Sequence, residues 1–185
     1  IASSFPSVAD AARNAFFTVS SVMSTTGFAT ADFNLWPQFS RTILVLLMFG
    51  GACAGSTCGG MKLSRIVILF KGLVREFRTA IHPKQVKRIT VDGRPVEEGV
   101  VHTVFIYSFC LFAVLAGSTL LVSLDGADFT TNVTAVITTL NNVGPGLNLV
   151  GPTGNFAFYS GFSKAVLIFD MLAGRLELFP MLLLF

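Results

Sequence analysis

The sequence predicts an all-α membrane protein built from repeated units of helix, re-entrant pore loop and helix. Hydrophobic residues make up 52% of the 185-residue chain and charged residues only 12%, and the mean hydropathy is +0.72. This composition is too apolar for an ordinary soluble domain. The apolar residues form three long segments, each able to cross a hydrocarbon core of about 30 Å. Two shorter, more polar stretches with helical spacing resemble one another.

One of the three apolar segments is interrupted. The continuous segments cover roughly residues 100–124 and 159–185, and each predicts a spanning helix. The first segment, roughly residues 36–75, contains the glycine-rich stretch GGACAGSTCGGMK. Glycine weakens a helix interior by about 1 kcal/mol relative to alanine. We therefore expect this helix to end at Phe49 and to resume near Leu63.

The basic residues indicate which connection is cytoplasmic. Nine of the thirteen lie between two predicted spans: Lys62, Arg65, Lys71, Arg75, Arg78, Lys84, Lys87, Arg88 and Arg94. The positive-inside rule places residues 62–98 on the cytoplasmic side. This placement explains the net charge of +3, so we predict no nucleic-acid partner. Within the connection, Asp92 and Gly93 separate two strand-like runs and predict a small β-hairpin.

The two polar stretches predict a repeated unit. Residues 7–24 form a short helical pattern followed by TTGFATADF, and residues 125–147 contain another that ends in NNVGPGL. Setting Gly27 on Gly144 aligns the two stretches. A spanning segment follows each of them, so the chain contains one and a half copies of a unit of helix, re-entrant loop and helix.

The turn after each short helix is a candidate cation site. Irregular backbone at membrane depth persists only where it is buried in protein or lines a water-filled cavity. The C-terminal end of a helix dipole favours a positive charge, and backbone carbonyl groups can replace the hydration shell of potassium. The candidate carbonyl groups belong to Thr25, Thr26 and Gly27 in the first turn and to Asn142, Val143 and Gly144 in the second.

The glycine-rich interruption predicts a movable loop within the membrane. Its candidate residues are Gly50, Gly51, Gly55, Ser56, Thr57, Gly59 and Gly60. A phosphate-binding loop is the alternative for such a glycine pattern. That alternative fails because Met61 separates Gly60 from Lys62, because no Ser or Thr follows the lysine, and because the flanks are spans.

Arg175 is a charge within an apolar helix, and such residues face a cavity or a partner. Setting Met48 on Met171 places Ala52 of the glycine-rich loop level with Arg175. This alignment predicts that the arginine lies beside the loop. The alternative is an ion pair of Arg175 with Glu177 or Asp170.

Four ordered motifs carry a family resemblance. The stretches STTGFATADF, GGACAGSTCGGMK, TLNNVGPGL and MLAGRLELFP resemble the membrane subunit of the Trk/Ktr/HKT potassium-transporter superfamily, most closely its bacterial TrkH type. In that family, one polypeptide arranges four units of helix, pore loop and helix around one pore. The resemblance implies that this chain holds part of the third unit and all of the fourth, and that it is part of a longer protein.

The resemblance implies the following organisation. Residues 1–75 would hold the third pore helix, its filter strand and a broken inner helix with the gate loop at residues 50–60. Residues 76–98 would form the cytoplasmic connection. Residues 99–185 would form the fourth unit, with its pore loop at residues 125–150.

The resemblance also implies site residues and partners. Potassium, the transported ion, would be held at Thr25, Thr26, Asn142 and Val143, and Arg175 would contact the gate loop. The protein would be a homodimer that spans the bacterial inner membrane several times. A ring of cytoplasmic regulatory subunits would bind nucleotides, so this chain itself would need no cofactor.

Two alternatives to potassium uptake remain at this stage. One is a sodium-permeable or sodium-coupled transporter of the same fold, although glycine at positions 27 and 144 favours potassium. The other comes from a different class of protein: a membrane-embedded enzyme that uses the thiol of Cys53 or Cys58, or a scaffold that uses the basic cytoplasmic loop. No base or metal partner accompanies these thiols in the sequence, so we expect no enzyme.

Overall fold

The computed structural model describes residues 5–50, 59–82, 89–91 and 93–175. The described residues form six α-helices and one two-stranded sheet. The elements are α1 (Val8–Met23), α2 (Gln38–Phe49), α3 (Leu63–Ile81), β1 (Thr90–Val91), β2 (Arg94–Pro95), α4 (Glu98–Val122), α5 (Phe129–Leu140) and α6 (Gly161–Arg175). Short 3-10 helices cover Phe33–Leu35, Ser123–Asp125 and Asn148–Val150.

The two predicted short helices are confirmed as α1 and α5. Each begins at a residue whose side chain accepts a hydrogen bond from the first turn. Ser7 accepts from the Ala9 N–H over 3.2 Å, and Asp128 accepts from the Thr131 N–H over 3.4 Å. Such caps satisfy backbone donors that have no partner within the helix. Both stretches therefore carry their own start signal.

The predicted break in the first apolar segment is also confirmed. Helix α2 ends at Phe49, and α3 begins at Leu63. With 12 residues, α2 is only about 18 Å long, shorter than a hydrocarbon core. The predicted gate residues Gly51, Gly55, Ser56 and Thr57 lie outside the described residues.

One helix among the described residues is long and apolar enough to cross a membrane. It covers Glu98–Asp125, has a mean hydropathy of 2.1 and leaves most of its surface unburied by the rest of the chain. Helix α2 is apolar but shorter. The other predicted spans remain predictions.

The predicted hairpin is present and lies beside α3. Val91 lies opposite Arg94 in an antiparallel pair, and Gly93 in the turn has a φ of +75°. The Lys71 Nζ atom donates to the Thr90 carbonyl over 2.7 Å. This bond ties the hairpin to the preceding helix.

Helix α5 occupies the centre of the second unit. It packs against α6, α4 and α2. Nine of its twelve residues are buried, and five of these are threonines or asparagines. The hydroxyls of Thr134 and Thr139 donate to carbonyl groups one turn earlier in the same helix, so neither hydroxyl is buried without a hydrogen-bond partner.

Candidate functional site

Helix α1 ends in a hydrogen-bonded turn that leads directly into the first candidate filter segment. The Thr26 N–H donates to the Ser21 carbonyl over 2.9 Å. The Thr25 N–H donates to the Val22 carbonyl over 3.1 Å. These two bonds form a Schellman motif, in which Thr25 takes a φ of +53° and Gly27 follows at +76°.

Helix α5 ends in the same motif. The Val143 N–H donates to the Thr138 carbonyl over 2.9 Å, and the Asn142 N–H donates to the Thr139 carbonyl over 3.1 Å. Asn142 has a φ of +55° and Gly144 a φ of +109°. The two backbone hydrogen bonds that end α5 thus correspond to the two that end α1. This correspondence confirms the alignment of Gly27 with Gly144.

The two candidate filter segments meet in space. A Cβ atom built on Gly27 would overlap the carbonyl oxygen of Val143 and lie 3.2 Å from Pro145 Cδ. The glycine at position 27 thus permits the close approach. A Cβ atom on Gly144 would meet no atom within 4 Å.

A cavity of about 560 Å³ adjoins both segments and α6. Five of the six predicted filter residues line it: Thr25, Thr26, Asn142, Val143 and Gly144. The sixth, Gly27, lies against Val143. The C-terminal ends of α1 and α5 are both at this cavity, so the negative ends of two helix dipoles lie beside it.

The side chain of Asn142 has a role that the sequence did not indicate. Its Nδ2 atom donates to the Met171 carbonyl of α6 over 3.1 Å. Because the side chain is bonded to α6, the second candidate filter segment is fixed to that helix. A single asparagine in a turn carries no signal of such a partner.

Lys164 was also absent from the sequence prediction. It lines the cavity, and its Nζ atom donates to the Ala157 carbonyl over 2.9 Å. The bond holds the ammonium group against the loop that precedes α6. A fixed positive charge at the cavity wall repels other cations on that side.

Asn34 joins the loops that follow the two filter segments. Its Oδ1 atom accepts from the Asn148 N–H over 2.9 Å, and its Nδ2 atom donates to the Asn148 carbonyl over 3.2 Å. A Cβ atom on Gly151 would overlap Asn34 Nδ2. We call this pair of bonds the outer clasp. It connects residues 114 positions apart in the sequence.

The C-terminal end of the predicted gate loop lies directly against the second filter turn. A Cβ atom on Gly60 would overlap the Asn141 side chain, and one on Gly59 would lie 2.8 Å from Asn142 Nδ2. The Tyr107 hydroxyl donates to the Gly60 carbonyl over 3.3 Å. Both glycines are buried, and their lack of a side chain allows this contact. At the other end of the loop, Gly50 ends α2.

Arg175 is exposed at the end of α6. The preceding residue, Gly174, packs so closely against α5 that a Cβ atom there would overlap the Leu140 carbonyl oxygen. The predicted neighbours Ala52 and Glu177 lie outside the described residues. The alternative pairing with Asp170 is wrong, because one oxygen of that carboxylate accepts from Ser118 and the other has no hydrogen-bond partner.

Three comparisons with known proteins agree. The family model "TrkH: Cation transport protein" matches residues 3–185. The Trk system potassium uptake protein TrkH of Salmonella typhimurium is 39% identical over 173 residues, which cover 94% of this chain and 35% of that protein. The protein of the same name from Vibrio parahaemolyticus is 39% identical over 183 residues, covering 98% of this chain and 37% of that protein.

A solved structure is similar over the same extent. The crystal structure of the potassium transporter TrkH from Vibrio parahaemolyticus superposes with a TM-score of 0.85 at 38% sequence identity. The match covers 98% of this chain and 38% of that chain. This chain thus spans somewhat more than a third of the length of the proteins it matches.

Proposed function

The chain belongs to the TrkH family of cation transport proteins, and from that membership we propose that it forms part of a potassium uptake pore in a cell membrane. One structural observation carries the proposal. Two helices end in the same backbone motif and bring both filter segments to one cavity. The relatives are named potassium uptake proteins, which are transporters rather than enzymes.

The proposed mechanism is replacement of water by backbone carbonyl groups. Potassium loses its hydration shell and is held by the carbonyl oxygens of Thr25, Thr26, Asn142 and Val143. Gly27 and Gly144 supply the positive φ values that let the chain turn there. The C-terminal dipoles of α1 and α5 add a favourable potential for the cation.

We assign the gate to residues 50–60 together with Arg175. The contact of Gly59 and Gly60 with the turn at Asn141 and Asn142 supports this assignment, because movement of the loop would reach the filter directly. A cluster of glycines lets such a segment change conformation within a rigid bundle. Arg175 is the last residue of α6 and follows Gly174, which packs against α5. Its positive charge would raise the barrier to potassium while the gate is closed.

The assembly belongs to the same proposal. A homodimer in the bacterial inner membrane, crossing it several times, would carry a ring of nucleotide-binding regulatory subunits on its cytoplasmic face. The basic connection and the hairpin, held by Lys71 and by the 2.6 Å ion pair between Arg75 and Glu98, offer a folded surface there. Copurification of a cytoplasmic nucleotide-binding subunit, lost when residues 89–96 are replaced by a flexible linker, tests this part.

The sodium alternative concerns the same pore. Sodium is smaller and holds its water more tightly, so a wider or less regular ring of carbonyl groups would change the preference. Two glycines at equivalent filter positions favour potassium. The thiol-enzyme alternative concerns Cys53 and Cys58, which lie outside the described residues.

The decisive experiment measures cation flux. The full-length protein is placed in lipid vesicles, and uptake of rubidium or potassium is compared with uptake of sodium. We expect Gly144→Ser to lower the potassium-to-sodium ratio, because the φ of +109° at this position disfavours any side chain. Gly99→Ser is the matched control, since that glycine has an ordinary φ and open space around its Cβ position.

Two flux results would contradict the proposal. If Gly144→Ser and Gly99→Ser leave both flux and cation preference unchanged, residues 142–144 do not form a filter. If the unmodified protein shows no cation flux, the uptake function is wrong. Replacement of Cys53 and Cys58 together by alanine should leave flux intact, whereas a thiol enzyme requires a complete loss of activity.

A further inference from the structure

Asp170 is a buried carboxylate outside the filter and the gate. Its exposed fraction is 0%. The Ser118 hydroxyl of α4 donates to its Oδ1 atom over 2.6 Å. Its Oδ2 atom has no hydrogen-bond partner, and the described residues contain no cation paired with it. An ionisable side chain within an apolar helix that has one neutral partner calls for a functional explanation.

The position of Asp170 links two helices to the filter. On α6, the buried positions Ser163, Leu167, Asp170 and Gly174 form one stripe at helical spacing. Gly174 contacts α5 at the Leu140 carbonyl. The next residue after Asp170 is Met171, whose carbonyl accepts the bond from Asn142. Asp170 therefore lies within one turn of both contacts between α6 and the filter turn.

A charge at this position has no compensation within the described residues. Helix α5 carries no titratable side chain. Helix α4 carries Glu98, His102, Tyr107 and Cys110, and α6 carries Lys164 and Arg175 in addition to Asp170. The Lys164 ammonium is bonded to the Ala157 carbonyl, and the Tyr107 hydroxyl to Gly60. Burial without a neighbouring cation disfavours the carboxylate relative to the protonated acid.

We propose that Asp170 is a proton-binding site that couples the α4–α6 contact to the filter. With the proton bound, the neutral acid accepts from Ser118 and α6 stays packed. On release, the O–H bond breaks, its electron pair remains on the carboxylate oxygen, and the proton passes to water. The resulting buried charge weakens the packing of α6, and the Met171 carbonyl moves away from Asn142.

A route for the proton is present at Ser118. This residue lines a groove of about 450 Å³ between α4 and α6, together with Gly117 and Phe169. A Cβ atom on Gly117 would meet nothing within 4 Å, so the groove is open beside the serine. The Ser118 side chain thus lines the groove and also contacts the Asp170 carboxyl.

The proton itself is tested by infrared spectroscopy of the full-length protein in membranes, a measurement independent of transport. We expect a carbonyl stretching band of a protonated carboxylic acid that shifts in heavy water and is absent from Asp170→Asn. Ser118→Ala is expected to retain the band at a shifted frequency, because it loses only the hydrogen bond. Identical spectra of the unmodified protein and Asp170→Asn would overturn the proposal.

The coupling is tested by rubidium uptake into vesicles between about pH 5 and about pH 9. This part rests on the proposed transport function. We expect flux through the unmodified protein to change as the pH rises. Asp170→Asn keeps a neutral acceptor for Ser118. Its rubidium flux should stay near the low-pH level of the unmodified protein, and the change in flux across this pH range should be severalfold smaller.

Two flux results contradict the coupling. One is a pH profile of Asp170→Asn that matches the unmodified protein. The other is loss of flux at every pH in a folded Asp170→Asn protein, because a neutral side chain should support the packed arrangement. Absence of flux in the unmodified protein would overturn the transport function and the coupling to it, while the infrared band still decides whether Asp170 binds a proton.

Discussion

Helices α1 and α5 have the same C-terminal motif in different surroundings. Nine of the twelve residues of α5 are buried, against four of the sixteen residues of α1. The hydrogen bonds that end the two helices nevertheless agree to within 0.1 Å at corresponding positions. The shape of each candidate filter segment is therefore set by the local capping bonds and by the residues that tolerate a positive φ, and packing decides only where the segment is held.

The two turns differ in how they are held. The first is positioned by the close approach of Gly27 to Val143. The second is fixed by the bond from Asn142 to α6 and by the glycines at positions 59, 60 and 174 that pack against it. We therefore expect the first turn to be disrupted by substitution of Gly27, and the second turn to be disrupted by substitution of the residues that pack against it.

The largest difference should come from the paired substitutions Gly27→Ala and Gly144→Ala. Both impose a backbone strain of about 1–3 kcal/mol on a side chain at positive φ. Only Gly27→Ala adds an overlap with the Val143 carbonyl oxygen. Flux through Gly27→Ala should fall about tenfold or more below that of Gly144→Ala. Equal losses would show that the two strands do not meet as described.

The next effect concerns the support of the second turn. Gly174→Ala places a methyl group on the Leu140 carbonyl oxygen, and we expect a loss of about 1–3 kcal/mol in the free energy of unfolding. Gly161→Ala, in the same helix but with no atom within 4 Å of its Cβ position, is the matched control. Thermal unfolding of the full-length protein in detergent measures both. Equal unfolding midpoints for the two variants would show that the close packing of α6 against α5 does not support the second turn.

Local features of the fold were predictable from the sequence, and long-range contacts were not. The turn residues Asp92 and Gly93 specify a hairpin, and the glycines after Phe49 end a helix, because both effects act within a few residues. The Gly27 and Gly144 alignment succeeded because a capping motif is also local. The outer clasp between Asn34 and Asn148 depends on how two units pack, which no short stretch encodes.

The same distinction between local and long-range effects applies to Asp170 and Arg175. The sequence showed both charges in one apolar segment, predicted Arg175 to lie beside the gate loop, and left a pair of Arg175 with Glu177 or Asp170 as the alternative. In the structure, Asp170 turns toward Ser118 in α4, and Arg175 lies at the exposed end of α6. Helical spacing gives the direction of a side chain on its own helix, but the identity of the opposing helix comes from the packing of α4, α5 and α6.

A smaller effect is expected at the outer clasp, which joins the loops beyond the two filter segments. Asn34→Ala removes two hydrogen bonds between the units, each worth about 1 kcal/mol. We expect the potassium-to-sodium flux ratio to fall severalfold while total flux changes less. Asn155→Ala is the control, since among the described residues that side chain bonds to Ala157, two positions away. A ratio that falls equally in both variants would show that the clasp does not position the filter.

The smallest effect exchanges the residues at the equivalent positions of the two turns. Thr25 is β-branched and strained at a φ of +53°, whereas asparagine tolerates that region. Thr25→Asn should therefore raise the free energy of unfolding by up to about 1 kcal/mol. Asn142→Thr should lower it by more than this amount, because it adds the same strain and also loses the bond to Met171. Unfolding midpoints of the two variants give the comparison. If both exchanges shift the midpoint in the same direction, the side chain at this position does not distinguish the turns, and burial rather than capping sets their stability.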